Sequence, residues 1–457
     1  MGDWSLSSGF YMRRSTGNVK MGKTGPKILI VNPPIYDFSA YDFWLRPLGV
    51  LAVTGRLRGQ AQLAFYDFLD RRHPTTVNKN TEKDAFGRGR FIEQQVEKPA
   101  AFKMIPRYYK RFGLPGKHFE QFLQASGGFD FVLVQSVMTY WYPGICEVIA
   151  TVRRNCPQAK IVIGGFYATA CYSHAQTLGA DLVIRGNDLQ PMWEMLGLTE
   201  SKAYCPPGWE LYSNLGTGVI TLTRGCPFKC SYCYAPVRGE RFAARPMEDV
   251  AADFEIMKQR GVRNIAFYDD ALLYQPEKIL LPFLDYVQEY GAGVNLHTPN
   301  AMHARLLTPD AARRLVRAGM KTFYLGYESA SAEFQKQTGA KLVSKELASA
   351  VDALKSAGAA GTNITAYEML GHPLADVQAI EESMRFAHSL GIRIMFSEFS
   401  PIPGTPDGEL CRKYVDIDEP LNHNKSAFPI VFLGWQKIKY YKTLCRELNE
   451  KSFGKSA

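Results

Sequence analysis

Short apolar runs rich in β-branched residues recur along this chain, separated by helix-length amphipathic segments, and that alternation limits its fold more than any other feature. Strands spaced in this way have room for crossover helices, so they pair in parallel and build α/β layers. The first series reads Lys27 to Asn32, Leu63 to Tyr66, Phe131 to Gln135, Ile161 to Ile163 and Leu182 to Ile184, with helices at Leu48 to Arg58 and Ile145 to Arg154. It predicts a doubly wound sheet with its ligand crevice at the carboxyl ends of the strands. After a break at Cys205-Pro-Pro-Gly208, a second series runs Val219 to Leu222, Ile265 to Tyr268, Val294 to His297, Thr322 to Leu325, Ile364 to Met369 and Ile392 to Phe396. Six consecutive βα units predict a partial (β/α)6 barrel.

The expected organisation is a flexible leader over 1–25, an α/β domain over 26–200, a linker over 201–216, the barrel over 217–407 and a helical tail over 408–457. Met21 is an alternative start just before the first strand. Within the first domain, an insertion over 71–128 carries Gly87-Arg-Gly-Arg90 and Ile105-Pro-Arg-Tyr-Tyr109. Its length suits either a cover over substrate or cofactor or a helical surface decoration. The basic helix around Trp435 to Leu448 would either close the barrel's open side or pack as a terminal helix, and packing is the expectation.

Directly after the first barrel run stands Arg-Gly-Cys-Pro-Phe-Lys-Cys-Ser-Tyr-Cys-Tyr, which places Cys226, Cys230 and Cys233 close together with no fourth cysteine at matching spacing. Structural zinc wants a closed set of four ligands, and no second Cys pair or nearby His pair succeeds the triplet. Nine cysteines in 457 residues without a secretory signal do not make a disulfide framework. Three thiolates on a four-iron cluster would leave one iron for another ligand. The formal charge of +10, from 54 basic and 44 acidic residues, is spread along the chain with modest concentrations at Arg13 to Lys23 and Arg88 to Arg111. No nucleic-acid module accompanies it, so it reads as a solvated surface. Without a signal peptide or a run of about twenty apolar residues, the chain is expected in the cytoplasm.

The Cys segment and the βα units behind it, from about Val219 to Pro406, resemble the core of the radical S-adenosylmethionine (SAM) enzymes. The resemblance implies a [4Fe-4S] cluster on the three cysteines, completed by SAM, whose reductive cleavage yields a 5′-deoxyadenosyl radical. It implies Tyr232 beside the adenine, and pocket roles for Asp269 and Asp270 after the second strand. It also implies that Glu328 and Ser329 in Gly326-Tyr-Glu-Ser329, and Gly371 and Pro373 in Met369-Leu-Gly-His-Pro373, cradle SAM. Pro403-Gly-Thr405 comes after the sixth strand. Each downstream piece also has a plain reading: the aspartates as helix caps, Glu328 as an ion-pair partner, His372 as a turn residue, and His303 and Arg305 as structural. A one-electron reductant such as flavodoxin or ferredoxin is the implied partner.

The first domain resembles the cobalamin-binding domain of a radical SAM subclass, through Val31-Asn-Pro-Pro34, Gln135-Ser136-Val-Met-Thr139 and Ile163-Gly164-Gly165. Small residues at Ser136, Gly164 and Gly165 would admit the cofactor's nucleotide tail. The loop Ile35 to Leu45 lacks the cobalt-coordinating His of other cobalamin proteins, and Tyr36, Tyr41, Trp44 or Tyr140 would fill that space or simply be core. The subclass implies methylation of an unactivated carbon. Two other readings remain open: a radical SAM enzyme without cobalamin acting on RNA or a small molecule, and a non-catalytic cobalamin or redox sensor. Cys146 and Cys171 read as helix-packing residues. The substrate is expected to be a small or lipid-like molecule, set by the insertion and the tail.

Overall fold

The computed structural model describes residues 25–76, 84–339 and 342–454. The leader lies almost wholly outside these residues, and with it the alternative start at Met21.

The first domain is a five-stranded parallel sheet of β1 (Lys27–Asn32), β2 (Gln62–Asp67), β3 (Phe131–Ser136), β4 (Lys160–Gly165) and β5 (Leu182–Val183). The strand order is β5-β4-β3-β1-β2, so the winding reverses between β1 and β3. Crevices form at such reversals, outside the carboxyl ends of the strands. Ile28 to Val31 and Ile161 to Ile163 are buried on both faces, which is why these strands read as continuous apolar runs rather than alternating ones.

The second domain comprises β6 (Gly218–Ile220), β7 (Asn264–Phe267), β8 (Asn295–His297), β9 (Met320–Glu328), β10 (Ile364–Leu370) and β11 (Arg393–Glu398). They pair in parallel in sequence order, giving the six-stranded partial barrel. Among the described residues, no helix is long and apolar enough to cross a membrane.

Two segments depart from the sequence reading. The described part of the insertion mixes short strands with an α-helix, Gly116–Ala125: Ile35–Asp37 pairs with Lys110–Phe112, which pairs with Glu93–Gln95, and Gly89–Arg90 pairs with Tyr41–Asp42. Its tip fills the barrel floor. The Phe86 carbonyl accepts from the Trp44 indole, Trp44 stacks on His297 at 4.3 Å, and the Arg88 guanidinium lies 5.2 Å from Phe43 and 5.3 Å from Trp44. Arg88 also bonds Asp84 and the Tyr324 hydroxyl, so its charge is used internally rather than offered to an anionic substrate. Burial, with Arg88 nearby, pushes the His297 pKa down to about 3. The neutral ring shares hydrogen bonds with Asn264 and Thr322. The segment read as a linker packs into the core from Pro207 on, although Lys202 to Tyr204 are exposed: Trp209 is fully buried, Gly208 donates to the Leu51 carbonyl and Tyr212 bonds Asp67.

The tail packs as expected and also covers an edge. On the helix Trp435–Phe453, the Asn449 side chain accepts from the Ile394 amide at 3.0 Å and donates to its carbonyl at 2.9 Å. It thus stands in for a neighbouring strand on the free side of β11. Asn449→Leu leaves the buried Ile394 amide unpaired and its carbonyl with only the weak Cys445 thiol donor, and a loss of about 2 kcal/mol is expected. The check is a lower urea midpoint with an unchanged slope.

Candidate active site

The turn from β6 into the cysteine loop requires glycine. Gly225 has φ +69°, and a Cβ there would sit 2.6 Å from the Glu240 and Arg241 carbonyl oxygens. Beyond it, Cys226, Cys230 and Cys233 are half-buried and unbridged, and the Cys233 Sγ accepts from the Ala235 amide at 3.4 Å. Burial pushes the Cys226 thiol up to about 11, so its ionised form needs a compensating positive charge such as iron. Among the described residues, no three His, Cys, Asp or Glu side chains close around a single metal ion. Three thiols on one short loop with an amide aimed at sulfur suit the larger footprint of an iron–sulfur cluster.

The strand ends around this loop hold the other residues singled out from sequence. Tyr232 has its hydroxyl buried, and burial followed by the charge of Glu328 and then Cys230 pushes its pKa well up. Glu328 is buried at the end of β9, where pairing with β10 shifts register, and it adopts φ +65°. A left-handed non-glycine residue in a packed interior is the kind of strain found at functional sites. The Ser329 hydroxyl accepts from the Ser331 amide and its carbonyl from Gln335, so it shapes the turn.

The two aspartates separate. Asp269 is buried and accepts from the Leu222 amide and from the amide and hydroxyl of Thr223, fastening the β7 end to the start of the cysteine loop. Burial pushes its pKa up to about 6 against the pull of those Thr223 and Leu222 bonds. Asp270 pairs with Arg238 just past the loop. Gly371 has no room for a side chain because a Cβ would meet Pro429 at 2.4 Å, so its bare face turns to the C-terminal segment. Pro373 is half-buried beside it. His303 packs on Phe228 of the cysteine loop at 4.5 Å, whereas Arg305 pairs with Glu346.

In the first domain, an open cleft of about 390 Å³ lies at the winding reversal, lined by Asn32 to Ile35, Leu45 to Pro47 and Gln135 to Met138 among others. Gly165, at φ +108°, abuts the Ser136 carbonyl, which a Cβ would meet at 2.2 Å. The Ser136 hydroxyl donates to the Gly164 carbonyl and accepts from the Ala168 amide. Those two residues therefore lock β3 to β4, and their hydrogen bonding is spent within the chain. Gly164 differs: only Ile184, at 3.8 Å, would meet its Cβ, so the absent side chain leaves the strand end bare. Of the candidate aromatics, Trp44 sits in the barrel floor, Tyr36 bonds Glu147, Tyr41 is exposed and Tyr140 is buried.

The carboxyl ends of the two sheets face each other. Phe166, next after β4, meets Tyr234 of the cysteine loop edge-on at 5.1 Å. Arg46, lining the cleft, donates its amide to the Tyr268 hydroxyl at 3.1 Å, and that hydroxyl donates to the Trp44 carbonyl. The buried Asp37 accepts from Trp141 and from Asn424 of the tail.

Gly225→Ala combines steric overlap with a disfavoured φ, and the reconstituted variant is expected to lose most of its iron while its circular dichroism is kept. For Asp269, the unfolded carboxyl ionises near its ordinary value of 3.8 and the folded one near 6, so the folded state holds an extra proton between them. The stability this group contributes is full below the lower value and falls as pH rises through the upper one. Asp269→Asn should therefore flatten the decline in urea stability between those two pH values relative to the parent.

A model of the radical SAM superfamily matches residues 220–387. An uncharacterized methyltransferase of Pyrococcus horikoshii is 26% identical over 215 residues, 44% of this chain and 46% of that protein. The bacteriochlorophyllide d C-12(1)-methyltransferase of Chlorobaculum tepidum is 26% identical over 278 residues, 59% of each. The matches thus span about half the length of these curated relatives. The solved structure of the radical SAM methyltransferase TsrM from Kitasatospora setae, with tryptophan and a SAM analog bound, superposes with TM-score 0.62 at 14% identity, over 85% of this chain and 76% of that one. The cobalamin-dependent radical SAM enzyme OxsB superposes with TM-score 0.53 at 12% identity, over 94% of this chain and 63% of its own. Those superpositions establish a shared two-domain fold. The three-cysteine loop lies at the mouth of the barrel and within residues 220–387, the segment that matches the radical SAM superfamily.

Proposed function

We propose that this chain is a cobalamin-dependent radical SAM methyltransferase acting on an unactivated carbon of a small molecule. The observation that carries the reading is the opposition of the two carboxyl-end crevices, with Phe166 beside the β4 end touching Tyr234 of the cysteine loop at 5.1 Å. When bound, the cluster with SAM supplies a 5′-deoxyadenosyl radical and cobalamin supplies a transferable methyl group.

The chain's own residues divide the work. Cys226, Cys230 and Cys233 hold the cluster, and the turns at Gly326 to Ser329 and Gly371 to Pro373 flank SAM. In the first domain, Ser136 and Gly165 keep the β3 and β4 ends flat and close, and Gly164 leaves the surface on which a nucleotide tail can lie. The cleft lies directly beside the β3 end, where Gln135 to Met138 line it, so a nucleotide tail bound there would run along that strand end. The floor built from Trp44, Phe86 and Arg88 excludes water from the closed end of the lumen, as radical chemistry on carbon demands.

The test is anaerobic reconstitution with iron, sulfide and cobalamin, then addition of SAM and dithionite. Retained cobalamin absorbance with 5′-deoxyadenosine and S-adenosylhomocysteine by mass spectrometry is expected, both products vanishing in Cys226→Ala. Deoxyadenosine without bound cobalamin would favour a radical SAM enzyme whose first domain binds substrate. A loaded cluster with neither product would favour a sensor.

A further inference from the structure

We infer that Asp407, held in place by His372, is a positioning residue for the cysteine loop and acts on it through Ser231. The inference rests on Cys226, Cys230 and Cys233 holding a cluster. Ser231 comes directly after Cys230 and lies two residues before Cys233, so its placement governs both ligands at once.

Three contacts fix Ser231. Its hydroxyl donates to Asp407 Oδ2 at 2.6 Å, its carbonyl accepts from the Asp407 amide at 3.2 Å, and its own amide donates to the Thr338 carbonyl at 3.2 Å. Asp407 is buried and clamps Ser231 by side chain and backbone together. The same Oδ2 accepts from His372 Nε2 at 2.9 Å. His372 is fully buried, and its Nδ1 accepts from the Leu374 amide at 3.1 Å, which leaves the proton on Nε2 to face Asp407. Tyr232, Phe334 and Phe399 pack edge-on around the imidazole, holding its plane. Asp407 itself sits in a short helical turn capped by Thr405, whose hydroxyl accepts from the Gly408 amide.

One carboxylate oxygen therefore ties the end of β10 and the segment after β11 to the middle of the cysteine loop. Such a carboxylate has two separable effects. Its geometry fixes where Cys230 and Cys233 present their sulfurs, and its negative charge, buried close to the cluster, disfavours adding an electron. Asparagine keeps an accepting oxygen and removes the charge, whereas alanine removes both.

The experiment compares full-length reconstituted parent, Asp407→Asn, Asp407→Ala, Ser231→Ala and the Ser231→Ala/Asp407→Ala double variant. The readouts are iron per chain, the electron paramagnetic resonance spectrum of the reduced cluster with and without SAM, and the midpoint potential from a mediated titration. Asp407→Asn is expected to keep parental iron and line shape while its potential shifts upward. Ser231→Ala and Asp407→Ala are expected to retain iron but to broaden the signal obtained with SAM. Since both break one link, the double variant should be no worse than Asp407→Ala alone. Parental spectra and potential in every single variant would overturn the positioning role. A parent that takes up no four-iron cluster would overturn the cluster assignment and this role with it, and that failure shows in the parent itself. If Asp407→Ala does not fold, Ser231→Ala and Asp407→Asn decide the question.

Discussion

The two-domain arrangement depends on buried polar contacts between the first domain and the rest of the chain. Asp37, fully buried after β1, is satisfied by hydrogen bonds from Trp141 and Asn424, one from each side of the junction. Arg46 reaches Thr217 at the start of the barrel and is tied by its amide to Tyr268 at the end of β7. An unpaired carboxylate or guanidinium at such depth is costly, so these groups keep their partners and the domains keep their mutual orientation. Fixed separation is what facing crevices require, because a group held at one sheet can act on a molecule at the other only if neither drifts.

Within the barrel, the strand ends supply rigidity in different ways. Asp269 ties β7 to the cysteine loop by hydrogen bonds alone, Gly225 shapes the turn before it, and Glu328 holds a strained backbone at the end of β9. The turns around the mouth of the barrel are thus supported from behind by groups that touch other protein atoms. Asp269, which a motif reading assigns to a ligand, makes its hydrogen bonds to this support, as Ser136 does to the β4 end in the first domain.

Much of the architecture was legible because buried parallel strands must be apolar along their whole length. Lys27 to Asn32 and Ile364 to Met369 announce themselves without an alternating pattern, and the order of the βα units can be read along the chain. The cysteine loop was legible because its chemistry is local, three thiols within eight residues. What escaped was long-range or locally unremarked. Ser231 and Asp407 are 176 positions apart, and nothing near either announces the other. The insertion's extended segments pair with Ile35–Asp37 and Tyr41–Asp42, strands too short to carry a period. The stretch read as a linker hid Trp209 and Tyr212, whose burial is decided by the faces of two domains rather than by their neighbours.

The barrel floor carries a consequence for how the chain acquires its structure. Trp44 and Phe86 belong to the first domain, yet they occupy the interior of strands formed by residues 218–398. A ribosome releases the plug long before the vessel it must fill. The aromatic cluster at Phe43, Trp44 and Phe86 has to wait unsatisfied while about 300 further residues emerge, and the barrel on completion would have a hollow centre until the plug arrives. Such contacts, far apart along the chain, place this protein among slow folders, and they make docking of the two domains a step of folding rather than a later assembly.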